Sequence, residues 1–194
     1  MNRQDILTQL IQYHTATDYF DYNHAIEWAL NLVEQSSTHE DILMLASFSE
    51  PIDSFEIKPY VSRAIRAVEL EEKINVNEAE NILALLYANE IIQNKEIRKN
   101  LQLLKELCIN ANYKKALMPF QSLQYTWEDF DFGNYEYPYY DDVTIDTIAD
   151  SVKTEAKNYI DNFNIADTEI YVYTHPEKQK IPFFKRILTY LKKL

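Results

Sequence analysis

His24 and Glu27 stand three residues apart in HAIE, a spacing that puts an imidazole and a carboxylate on one helix face. Two such pairs in the order Glu-x-x-His, with further glutamates, would hold a di-iron centre. Here the order is reversed, no second pair exists and HExxH is absent, so a helix-surface hydrogen bond is the simpler reading. Cys108 is the only cysteine, which excludes CxxC zinc sites. With His14, His24, His39 or His175 it has the right types for a nucleophile and its base, but no spacing brings them together. Its neighbours in KELCIN predict a buried structural thiol. GxSxG, Walker and dinucleotide motifs are missing. The pairs Glu128-Asp129 and Asp141-Asp142 offer oxygen ligands suited to calcium or magnesium, yet no EF-hand spacing surrounds them. The residues therefore predict no enzyme, no cofactor and no metal.

What stands out instead is YTWEDFDFGNYEYPYYDD, residues 125–142, with one tryptophan, two phenylalanines, five tyrosines and six carboxylates. It lies in a window, residues 116–152, that has eight acids and no lysine, arginine or histidine. Tyrosine and tryptophan concentrate at binding surfaces because they bury much area with few rotatable bonds, and carboxylates beside them pair with a partner's lysines and arginines. The same rings also suit a plainer job, holding a long connection against the core while the acids keep it soluble. Both roles can coexist, with Trp127, Phe130 and some tyrosines as anchors. The predicted partner-binding set is Tyr125, Trp127, Glu128, Asp129, Asp131, Tyr135, Glu136, Tyr137, Tyr139, Tyr140, Asp141 and Asp142.

The whole chain agrees with an acidic binding surface. Its net charge of −12 argues against direct nucleic-acid binding and against anionic membranes, and favours a basic partner. One cysteine and an N-terminus, MNRQDILTQLIQYH, without the apolar core of a signal peptide point to the cytoplasm. No stretch supplies the roughly 18 apolar residues of a membrane span.

The elements that position these residues read as helices. Gly133 is the single glycine, which weakens both tight hairpins and phosphate-cradling loops. Ile6, Leu7, Leu10, Ile11 and His14 form one stripe, and Ala25, Ile26, Ala29, Leu30 and Val33 a second. Ser37 with Glu40 has capping-box spacing ahead of Ile42, Leu43, Leu45 and Ala46, and Glu50-Pro51 predicts that helix's end. Ser54 opens a helix striped by Val61, Ala64, Ile65 and Val68, with Pro59 delaying its regular bonding. Asn77 with Glu80 starts the next, and Asn94 separates it from KEIRKNLQLLKELCI. A further helix reaches about Trp127, and Thr144 caps one striped by Ile145, Ile148, Ala149, Val152, Ala156, Ile160 and Phe163. TEIYVYT alternates as a short strand, and IPFFKRILTYLKKL reads as a terminal helix whose basic face answers the acidic middle. The prediction is mainly α: a compact multi-helix bundle or short array of antiparallel helix pairs, with at most one or two short strands near the C-terminus. It forms one domain, 1–194, comprising a helical core (1–115), the acidic aromatic segment (116–152) and C-terminal helices (153–194).

Two stretches resemble known proteins. AIEWALNLV…EDILMLASFSEPIDSFEIKPYVSRAIRAVEL resembles small helical bacterial proteins with an A-x-x-W-A helix, an L-x-L-A helix and an F-E-hydrophobic opening to the next. The W-E-D-F-D-F-G…Y-x-Y…I…EAKNYI pattern resembles a second piece of such proteins, some of which look like immunity proteins of polymorphic toxin systems. That resemblance implies a cytoplasmic inhibitor that binds one cognate, basic toxin or effector through the acidic aromatic surface. The alternatives are a non-catalytic α-helical scaffold or adaptor and, third, a carboxylate-dependent metal enzyme built around the acidic window.

Overall fold

The computed structural model describes residues 2–133 and 139–163. Among them are eight α-helices and no strand: α1 (Arg3–Leu10), α2 (Asn23–Glu34), α3 (Glu40–Ala46), α4 (Ser54–Ala67), α5 (Val76–Ile92), α6 (Ile97–Asn110), α7 (Met118–Asp131) and α8 (Ile148–Asp161). Short 3-10 turns at Ile11–Tyr13 and Lys115–Leu117 follow α1 and precede α7. The mainly α architecture is the predicted one. The strand expected in TEIYVYT and the helix expected in IPFFKRILTYLKKL lie outside the described residues.

One helix organises the rest. The sequence NILALLYANEII is apolar around most of its circumference, the pattern of a helix buried on more than one side. Ile82, Leu85 and Leu86 of α5 face a first core built from α1 to α4. Ala84, Ala88 and Ile91 face a second core built from α6, α7 and α8. The small alanines on the second face let its neighbours approach closely, and each large side chain fully buried there contributes about 1.5–3 kcal/mol. The predicted α1 stripe is buried in full, from Ile6 at 1 % exposure to His14 at 0 %. Trp28, outside the α2 stripe, is equally buried, with its indole N–H donating to Thr8 Oγ1 at 3.1 Å. Leu30 and Leu43, expected inside, are exposed.

Helix ends explain most differences from the sequence expectations. Ser37 does not cap α3: its amide donates to Leu32 O at 2.9 Å and closes the end of α2. His39 takes over, with Nδ1 accepting from Asp41 N at 3.3 Å. Asn75 rather than Asn77 caps α5, accepting from Glu78 N at 3.3 Å. α3 ends at Ala46, ahead of the Glu50-Pro51 stop, and α4 runs through Pro59 with Asp53 as its cap. Thr144 forms a turn with Thr147, so α8 starts at Ile148 and leaves Ile145 exposed.

With so little glycine, four helices turn left-handed on ordinary residues: Ser36, Glu69, Asn94 and Asn112 have φ of 73°, 58°, 58° and 55°. The following amide in each case bonds back five residues, as in Leu70 N to Ile65 O at 3.1 Å and Tyr113 N to Cys108 O at 2.8 Å. This is the Schellman closure, which usually takes glycine because a Cβ in that region costs about 1–2 kcal/mol.

Candidate functional site

The acidic aromatic segment begins inside α7. Phe130 is buried in the second core at 3 % exposure, and half-buried Trp127 and Tyr140 pack against the same cluster. The next part of the chain is fixed by two further bonds. Tyr140 N donates to Thr126 Oγ1 at 3.0 Å, and its hydroxyl donates to Glu155 of α8. Burial, with the Glu155 carboxylate alongside, pushes the Tyr140 hydroxyl up to about 12, so it stays neutral and holds the connection down.

Two of the three carboxylates of α7, Glu128 and Asp131, are compensated, because α6 lies alongside and supplies cations. Arg98 and Lys105, two turns apart, reach the part of the segment that lies in α7. The Arg98 guanidinium sits 5.3 Å from the Trp127 ring centroid and donates twice to the Asp131 carboxylate, one bond measuring 3.2 Å. Lys105 Nζ lies 4.4 Å from the Tyr125 ring and 2.8 Å from Glu128 Oε1, which also accepts from Gln124 Nε2 at 3.0 Å. Burial raises the Glu128 carboxyl, but these two donors outweigh it and hold the group below its usual range. The Asp131 carboxyl is lowered by the Arg98 bonds. Glu128 and Asp131, expected to face a partner, therefore spend their charge inside the chain.

What remains outward is a smaller set. Phe132 is 88 % exposed and Tyr139 65 %, the latter leaning on Tyr125 with ring centroids 5.6 Å apart. Asp141 and Asp142 are exposed, as is Asp146 on the turn before α8; among the described residues none of the three makes an ion pair. Asp129 is half-buried. Tyr135, Glu136 and Tyr137 lie outside the described residues. Phe132 was missed by the sequence reading, although helical spacing contains the signal: two residues beyond buried Phe130 is the opposite face.

Other candidate chemistry dissolves on geometry. Glu27 is taken by Arg3 at 2.5 and 2.6 Å, so the expected His24–Glu27 bond does not form, and His24 Nε2 is buried with no hydrogen-bond partner among the described residues. Ser62, His14 and Glu72 resemble a hydrolytic triad in type, but Ser62 Oγ at 3.4 Å and Glu72 Oε2 at 3.3 Å both address Nε2. A relay needs the nucleophile and the orienting carboxylate on opposite nitrogens of the histidine. Cys108 is buried against Lys114 O and Met118 Sδ, and burial pushes its thiol up to about 11, far from a nucleophile. Among the described residues no three His, Cys, Asp or Glu side chains come together to hold a metal ion. A groove of about 740 Å³ runs between Asn81, Phe120 and Tyr159. Its buried Lys114 is answered by Glu80 at 3.7 Å and by Asn77 O at 3.3 Å. Among the described residues no helix is long and apolar enough to cross a membrane. No family model, curated protein or solved structure matches the chain.

Proposed function

We propose that this protein is a non-catalytic inhibitor of the immunity type, which neutralises a basic toxin or effector by covering its working surface. The observation that carries this reading is the pairing of exposed rings, Phe132 and Tyr139, with the exposed carboxylates of Asp141, Asp142 and Asp146, which make no ion pair among the described residues, on the chain between α7 and α8. Rings of that kind supply most of the binding energy at interfaces, and the acids around them accelerate encounter with a cationic partner. The net charge of −12 extends the same field over the whole molecule. A reducing cytoplasm suits a chain whose one cysteine is buried and unpaired with another.

Within this reading Glu128 and Asp131 are positioning residues. Their links to Lys105 and Arg98 fix α7 against α6 and so orient the rings that follow. The test is differential capture. Immobilised wild-type protein and the variants F132A/Y139A and D141N/D142N/D146N are exposed to host lysate, and proteins retained only by the wild type are identified. The captured protein is then expressed with and without this chain. Inhibition requires a basic protein whose toxicity this chain suppresses; a captured protein held equally by all three baits contradicts the assignment of the surface, and one without toxicity contradicts the immunity role.

A further inference from the structure

The groove of about 740 Å³ lies where the described chain ends. Asn158 of α8 and Asn162 and Phe163 just after it belong to its lining, so residues 164–194 depart from the groove's own wall. Lys114, Lys115 and Phe120, from the turn that leads into α7 and from its first residues, line it as well. The rings of Phe120, Tyr159 and Phe163 meet in series, with centroids 6.0 and 6.1 Å apart. Tyr159 and Phe163 are only half-buried, so this strip keeps apolar surface for an occupant.

The polar groups of the groove narrow what that occupant is. Lys115 is exposed and, among the described residues, makes no ion pair. The Lys114 ammonium stands 3.7 Å from Glu80, beyond hydrogen-bond length. Asn162 spends Nδ2 on Asn158 O at 2.8 Å, which leaves its Oδ1 to accept from a backbone N–H. An apolar strip, a cation without a partner and an amide acceptor together complement a peptide that carries a carboxylate and an apolar side chain.

Such a peptide follows Phe163 directly. Residues 164–171, NIADTEIY, lie outside the described residues and carry Asp167, Glu169 and Ile170. Asp167 is four residues beyond Phe163, a reach of up to about 14 Å. We infer that the groove is the docking site of this segment of the chain itself, with Asp167 paired to Lys115 and Ile170 on the strip of Phe120, Tyr159 and Phe163.

Charge separates this occupant from its competitors. Residues 178–194 hold six lysines and arginines and no acid, so Lys114 and Lys115 repel them. A second copy brings a net charge of −12 against a net charge of −12, which opposes self-association. The tether supplies the remaining advantage. A short connection presents the segment at an effective concentration in the millimolar range, so contacts too weak to hold a free peptide suffice. Docking here is independent of the inhibitory role proposed above.

Disulfide trapping in the full-length chain reads the contact. Asn158 lines the groove and the adjacent Lys157 does not, although both are exposed and equally near the segment in sequence. Each is replaced by cysteine together with Thr168→Cys, while buried Cys108 stays out of the reaction. A segment that is not docked reaches the two positions at similar rates; docking makes N158C/T168C form its intramolecular disulfide at least about tenfold faster than K157C/T168C. Lys115→Glu removes most of that advantage, Asp167→Lys alone does the same from the segment's side, and the two together restore it. Circular dichroism confirms that each variant is folded. Similar rates for N158C/T168C and K157C/T168C would overturn the docking, as would a rate that neither charge reversal changes. So would faster trapping of Asn158→Cys with Lys185→Cys than with Thr168→Cys, or a product that is a disulfide-linked dimer.

Discussion

Phe130 and Phe132 are two residues apart and the account assigns them opposite roles, which truncation to alanine separates. Phe130 is 3 % exposed and sits in the second core with Phe120, Leu123 and Val152. Removing a buried ring there costs about 3–5 kcal/mol, through lost transfer energy and the cavity left behind. In a chain of this size that lowers Tm by roughly 6–20 °C. Phe132 is 88 % exposed in the free protein, so F132A leaves stability within about 0.5 kcal/mol. Its effect is reserved for the complex. Burying a ring of about 150–250 Å² at roughly 25 cal/mol per Å² sets a ceiling near 4–6 kcal/mol. Ordering the ring and imperfect burial reduce this to about 2 kcal/mol, or roughly thirtyfold in affinity. Urea denaturation of the two variants checks the first half. The reasoning is refuted if F132A loses more than about 1.5 kcal/mol, or if F130A loses less than about 1 kcal/mol.

Global stability is expected to fall as pH drops below about 6.5, because burial holds both His14 and His24 under the ordinary imidazole range while the unfolded chain protonates them; each contributes at most about 1.4 kcal/mol per pH unit, and urea midpoints between pH 7.5 and 5.5 measure it. Below about pH 4.5 the loss steepens as Glu27, lowered by the Arg3 hydrogen bonds, takes up its proton. Glu69→Gly and Ser36→Gly relieve left-handed backbone at helix ends and should each stabilise by about 0.5–1 kcal/mol, whereas Gly133→Ala, at φ 77° with open space around a new Cβ, costs about 1 kcal/mol from strain alone. Thermal melts decide the sign in each case. Cys108 should remain unmodified by a thiol-specific disulfide reagent in the folded protein and react at once in denaturant, since its thiol is both buried and pushed up to about 11.

The helical class was legible because it depends on local information. The α1 stripe needs only the spacing of Ile6, Leu7, Leu10, Ile11 and His14, and the scarcity of glycine acts everywhere at once. Caps were less legible. Whether Ser37 or His39 starts α3 depends on how α2 ends, and that ending had already engaged the Ser37 amide. The central place of α5 was hidden for a related reason: a helix buried on two sides has no single stripe. In the candidate site the rings and acids were visible but their pairing was not. Arg98 and Asp131 are separated by 33 residues and Lys105 and Glu128 by 23, so two acids of a window free of basic residues are paired from the neighbouring helix. Sequence reasoning therefore picked out the rings and acids and overstated how much of their charge is left without a partner in the chain.

The most direct measurement is the affinity of the captured partner for wild-type protein and for F132A/Y139A, taken at low and at physiological salt. The account predicts a basic partner whose binding weakens with salt and drops at least thirtyfold in the double variant, while circular dichroism and Tm stay unchanged. Equal affinity of the wild type and F132A/Y139A, or binding indifferent to salt, would contradict it.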